Sequence, residues 1–84
     1  MTMRYRNEPI ARRFGAIVCH LRQQRHWTVP ELARRSGLSG TYVRNVECGV
    51  NMPTLKVVVM LARCLDVDPG DLVRDAAVAE PQRT

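Results

Sequence analysis

Apolar residues recur at helical spacing along the whole chain, and strand-like alternation is absent. Behind a short polar start, Pro9 can open a first helix. Ile10, Phe14, Ile17/Val18 and Leu21 then fall at i, i+4, i+7/8 and i+11 and make one apolar stripe. That helix is expected to close near Arg25–His26. Thr28 suits an N-cap, Glu31 stands three residues later as in a capping box, and Pro30 falls in the first turn, where its missing N–H costs nothing. The second helix turns Leu32 and Ala33 inward and stops at Gly37. Ser39 caps a third helix, about 40–48, which stops at Gly49. Thr54 caps a fourth, LKVVVMLARCL, with Leu55, Val58, Leu61, Ala62 and Leu65 on its core side. Asp66, a residue type that tolerates the left-handed conformation, ends it. Asp68-Pro69 starts a short last helix with Leu72 and Val73 as apolar contacts. The pattern predicts an all-α fold, a compact five-helix domain over residues 9–74. A basic arm, 1–8, precedes it, and a tail, 75–84, with few apolar anchors is expected to be flexible.

Composition narrows the class. Eighty-four residues, 45% of them hydrophobic, fit one small folded domain. No run approaches ~18 apolar residues, so no membrane span is expected. MTMRYRNEPIARRF lacks the apolar centre of a signal peptide, which points to a cytoplasmic protein. Cys19, Cys48 and Cys64 are odd in number and form no CxxC pair. With His20 and His26 lacking partners at ligand spacing, no metal and no cofactor is expected, and the cysteines read as small reduced apolar residues. No carboxylate pair, His–Cys pair or Gly-rich phosphate loop stands out, so an enzyme is not expected.

Charge adds a polarity to the chain. Residues 1–45 hold nine arginines against Glu8 and Glu31, a balance of +7, whereas residues 46–84 balance at −2. A polyanion on one side and a different partner on the other would suit such a division.

The second and third helices are joined by RSGLS, a short turn containing glycine, which is the helix-turn-helix arrangement. At about 100° per residue, Val43 and Val46 share the inward side of the third helix. Thr41, Arg44, Asn45 and Cys48 lie on the opposite side, with Gly40 at its edge. Arg can pair with guanine, Asn with adenine, and the Thr methyl can touch thymine, although a plain solvated face would carry the same residue types.

The stretch WTVPELARRSGLSGTYVRNVECGVNMPTLKVVVMLARCLDVDPGDL resembles the helix-turn-helix domains of the lambdoid phage repressor and Cro type, the XRE family. The matching motifs are Leu21-Arg22, T-x-x-E-L-A at Thr28–Ala33, SGLS at Ser36–Ser39, Tyr42-Val43, V-E-x-G at Val46–Gly49, and P-T-L followed by L-A-x-x-L and D-L. The resemblance covers roughly residues 10–73. It implies double-stranded DNA as partner, with the second helix across the backbone and the third in the major groove. Carried over by position, the base readers are Gly40, Thr41, Arg44 and Asn45. Backbone contacts come from Thr28, Val29, Tyr42 and the 48–52 loop. Outside the carried-over positions, the arm residues Arg4 and Arg6, with Arg12 and Arg13, are candidates to supply phosphate contacts. The resemblance also implies an ion pair between Arg22 and Glu47, tying the first helix to the reading helix. Four positions depart from the family pattern. Val29 replaces a phosphate-binding glutamine, Gly40 replaces a long polar residue, the Gly49–Met52 loop lacks a basic residue, and His26 stands where glycine is usual.

The fourth helix has more apolar residues than one core stripe needs. Val57, Met60 and Cys64 make a second stripe, and with Leu72 and Val73 they form the expected homodimer interface. A symmetric dimer would present two reading helices to a pseudo-palindromic operator. The expected function is a transcriptional regulator. The alternative is an antitoxin-type protein that binds a partner toxin as well as its own operator.

Overall fold

The computed structural model describes residues 9–77 and folds them into five helices. In chain order these are α1 (Pro9–Gln24), α2 (Val29–Ser36), α3 (Gly40–Glu47), α4 (Leu55–Cys64) and α5 (Pro69–Ala77). The expected arm, 1–8, and most of the expected tail lie outside the described residues.

The helix starts follow from side-chain capping. Thr28 Oγ1 accepts from the Glu31 N–H at 3.2 Å, Ser39 Oγ from Tyr42 at 3.0 Å and Thr54 Oγ1 from Val57 at 3.2 Å. The α2 capping box is only half made. The Glu31 carboxylate turns away from Thr28 and accepts from Arg34 and Arg35 instead. Gly37 closes α2 at φ 80°, and the Leu38 N–H reaches back to the Ala33 carbonyl at 3.0 Å, which sets the tight turn into α3. His26 and Asp66 both take φ 61°, so two non-glycine residues carry the left-handed turns after α1 and α4.

One core joins all five helices. Phe14 and Val18 meet Leu32, Val43, Val46, Leu61, Leu65 and Leu72, each at most 4% exposed. Burying a side chain of this kind contributes about 1.5–3 kcal/mol. α1 packs against both α3 and α5, α2 packs on α3 and α4, and α4 packs on α5, so each helix has two main neighbours.

Three features differ from the pattern-based expectation. Leu55 is 76% exposed instead of facing the core. It stands in the first turn of α4, at the edge of the stripe set by Val58, Leu61 and Ala62, and projects past the packed helices. Leu72 is 2% exposed and belongs to the core, so it cannot also line a dimer interface. α5 continues past residue 74, because Ala76 is buried against the core and its carbonyl accepts from Arg13 Nε at 2.6 Å. No helix among the described residues is long and apolar enough to cross a membrane.

Candidate nucleic-acid interface

The outward face of α3 is built from the inside. Val43 and Val46, each 1% exposed, anchor the helix to the core. The remaining rotation leaves Thr41, Arg44 and Cys48 exposed and Asn45 half-buried. Gly40 opens the helix with nothing within 4 Å of where a Cβ would stand, so this end of the face is flat and accessible backbone. Behind the helix, the Asn45 carbonyl accepts from the N–H groups of Val50 (2.9 Å) and Asn51 (3.4 Å), which folds the following loop against the end of α3.

Two contacts set the angle of α3 against α1. Arg22 Nε donates to Glu47 Oε2 at 2.7 Å and Nη2 donates to Oε1 at 3.0 Å, a two-pronged pair. The side chains are only 12% and 8% exposed. Arg22 Nη1 also donates to the Trp27 carbonyl at 2.7 Å, so one guanidinium joins α1, the turn before α2 and the end of α3. Hydrogen bonding to Glu47 holds this guanidinium above the ordinary arginine pKa. The neighbouring Cys19 thiol, 3.6 Å from Arg22 Nη2, is pushed above its usual value by burial first and by the Glu47 charge second.

The second contact is Gly15, in the middle of α1. A Cβ on Gly15 would fall onto the Val46 carbonyl oxygen and lie 2.7 Å from that of Glu47. The α1 backbone therefore crosses α3 at a distance that admits no side chain. Similarly, a Cβ on Gly49, which takes φ 76°, would stand 2.9 Å from Arg12 Cα.

A family model described as Helix-turn-helix matches residues 20–72. The chain belongs to the helix-turn-helix family of the phage repressor and Cro type. It is 33% identical over 70 residues to an uncharacterized HTH-type transcriptional regulator of Mycobacterium tuberculosis, found in two strains. That match covers 83% of this chain and 50% of the relative, so the chain spans about half the length of the curated relatives it matches. Among solved structures it is similar to the restriction-modification controller protein C.AhdI from Aeromonas hydrophila, at 34% identity and TM-score 0.71. The match covers 74% of this chain and 94% of that one. The clp gene regulator ClgR from C. glutamicum shares the fold at TM-score 0.75 and 22% identity, over 84% and 92% of the two chains.

Around the helix-turn-helix unit, the other candidate residues separate. Thr28 is exposed at the start of α2, while Val29 and Tyr42 are half-buried and pack on the core. Arg12 is exposed, with its stem against Gly49 beside the end of α3. Arg13 points to the other side of α1, where its bond to the Ala76 carbonyl commits it to the α1–α5 contact. It is therefore poorly placed for the backbone role expected of it. On α4, Val57 and Cys64 are half-buried and pack on the core, as does much of the second apolar stripe, and Met60 is half-buried as well. Burial also pushes the Cys64 thiol up. Exposed apolar surface lies elsewhere, at Val50 (46%), Met52 (41%), Leu55 (76%) and Val73 (42%). Met52, Pro53 and Val73 edge an almost wholly apolar groove of about 140 Å³, floored by Phe14, Val58 and Ala76.

Sequence reasoning missed two positioning residues. Gly15 read as an unremarked position in an amphipathic helix, and only its spacing of seven from Arg22, on the same face, hinted at a crossing point. Trp27 is the second, and no sequence pattern marks it. The guanidinium carbons of Arg25 (5.2 Å) and Arg35 (4.4 Å) both lie over its ring, which ties the α1–α2 turn to the end of α2. Arg25 Nη2 in turn donates to the Leu65 carbonyl at 2.8 Å, bracing α4.

Proposed function

We propose that this protein is a sequence-specific DNA-binding transcriptional regulator that acts as a homodimer on a pseudo-palindromic operator. The observation that carries this reading is the outward face of α3. Its side chains Thr41, Arg44 and Asn45 sit on a helix held at a fixed angle by the Arg22–Glu47 pair. With Gly40 giving no side chain, Arg44 supplies the main base contact, Asn45 and Thr41 add to it, and the helix start approaches the duplex closely. Thr28 and Tyr42 position α2 and α3 on the backbone, and Arg12, beside the end of α3, supplies a phosphate contact. Likeness to an HTH-type transcriptional regulator of Mycobacterium tuberculosis and to the restriction-modification controller protein C.AhdI supports a role in transcription control.

Self-association is assigned to the exposed apolar side chains Met52 and Val73, which edge one apolar groove, together with Leu55 at the start of α4, in place of the half-buried Val57–Cys64 stripe. Reading two half-sites requires a dimer whose two α3 helices stand about one duplex turn (~34 Å) apart.

Selection from random duplexes tests this reading. It is expected to return inverted half-sites at one fixed spacing. Recovery of no shared sequence, or of a single unpaired half-site from a monomer, would refute the operator model.

A further inference from the structure

A second groove, about 690 Å³, lies between α1 and α5. Its floor is aliphatic: Ile17 and Leu21 from α1, Val67 from the turn and Leu72 from α5. Its edge is acidic. Asp68, Asp71 and Asp75 fall at i, i+3 and i+7 along one side of α5, a row about 10 Å long, and Asp66 continues it into the preceding turn. Two of these carboxylates are engaged locally. Asp68 Oδ1 accepts from the Gly70 and Asp71 N–H groups (2.6 and 3.2 Å), and Asp71 pairs with Arg74 at 2.6 Å in an exposed bond. Among the described residues, no side chain pairs with Asp66 or Asp75. In a chain of net charge +5, the acidic charge is thus concentrated beside one apolar trough.

The charge excludes a phosphate backbone as occupant, since four carboxylates would repel it. Nor do the carboxylates make a cation site, because no group of three metal-ligating side chains gathers among the described residues. The remaining match is a ligand apolar along one line and positive along its flank. We propose that this groove docks an amphipathic helix of another protein, with aliphatic side chains on the floor and arginines or lysines along the aspartate row. The row's helical spacing matches basic residues at i, i+3/4 and i+7 on such a helix.

The position of the groove lets this docking coexist with duplex binding. On α1, Gly15 and Arg22 face α3, whereas Ala16, Ile17 and His20 lie about 100–200° round the helix. An occupant therefore leaves the outer face of α3 clear. The proposal does not depend on which sequence α3 reads.

The test uses the full chain and a synthetic helix of roughly 15 residues. Leucines run along one side of this peptide and arginines flank them. A scrambled peptide of equal charge and one with glutamate for arginine are the controls. Titrations are followed by anisotropy and by backbone amide shifts. The patterned basic peptide should bind, with shifts centred on Ile17, His20, Val67 and Asp71–Asp75. Its affinity should fall about tenfold in an Asp66→Asn/Asp75→Asn double variant. Asn tolerates the left-handed turn at 66 and neither residue caps a helix, so the melting temperature and duplex affinity of this variant should hold. Equal binding of the scrambled peptide, shifts elsewhere, or no loss in the double variant would overturn the proposal. Groove signals that change with protein concentration alone would make the occupant a second copy. A tenfold gain in peptide affinity on Arg4→Glu/Arg6→Glu would make it the chain's own arm. Either result overturns the proposal too.

Discussion

Replacing Gly15 with Ala should reverse the usual sign of a glycine-to-alanine change in a helix. In an unobstructed helix the substitution stabilises by about 0.5–1 kcal/mol, because alanine loses less backbone freedom on folding. At Gly15 the new Cβ would press on two backbone carbonyl oxygens of α3, with that of Glu47 at 2.7 Å and that of Val46 nearer still. Neither oxygen can swing aside as a flexible side chain would. The α1 and α3 axes must part by roughly 1 Å, which loosens dispersion contacts along the whole crossing. Overpacking of this kind costs about 1–3 kcal/mol, and the backbone contact puts this case at the upper end. Subtracting the propensity gain leaves a net loss of about 2 kcal/mol. In a domain of this size that lowers the melting temperature by roughly 10 °C. Gly40→Ala is the matched control, because nothing lies within 4 Å of its Cβ. It should raise stability by a few tenths to about 1 kcal/mol. Urea denaturation followed by circular dichroism measures both. If Gly15→Ala were as stable as the unsubstituted chain, the close α1–α3 crossing would be wrong.

Glu47→Gln should cost about 2–3 kcal/mol in the same assay, somewhat below the value for a fully buried pair because Arg22 keeps its bond to the Trp27 carbonyl. By contrast, breaking the exposed Glu31–Arg35 pair with Glu31→Gln should leave the urea midpoint essentially unchanged, because solvent screens that pair. Leu55→Glu, which touches no core and places a negative charge in the first turn of α4, should preserve the fold. Combined with Val73→Glu it should reduce the mass seen by light scattering to that of a monomer; an unchanged dimer mass would place the interface elsewhere. Alkylation read by mass spectrometry should modify exposed Cys48 first. Cys19 and Cys64 should lag, since burial holds both thiols protonated beyond the ordinary range. The linkage has one sign. The raised Cys19 pKa contributes stability below about pH 9 that is lost as the pH climbs through the folded value.

Local signals carried much of the fold. Thr28, Ser39 and Thr54 cap the helices that their positions announced, and Gly37 and Asp66 end α2 and α4 in the left-handed conformation. Such features depend on a few neighbouring residues, so a single sequence contains them. What failed to show was set by distant parts of the chain. Leu55 fits the α4 stripe by rotation, yet nothing packs above the first turn of that helix. Leu72 and Val73 are adjacent and equally apolar, and only the path of α5 over α1 decides that one is buried and the other exposed. Arg13 looked as available as Arg12 until α5 brought the Ala76 carbonyl to it. The outward set on α3 came from helical rotation alone, whereas the Arg22–Glu47 pairing, 25 residues apart, was reachable only through resemblance to a family.

The central claim is that Arg44 reads a base. Competition binding on the selected operator, with each base pair changed in turn, tests it most directly. Arg44→Ala should lose discrimination at one position per half-site, by about 1–3 kcal/mol, while preferences at the other positions stand. If Arg44→Ala weakened every sequence alike and left the pattern of preferences intact, Arg44 would be a phosphate contact and the assignment of the α3 reading face would fall.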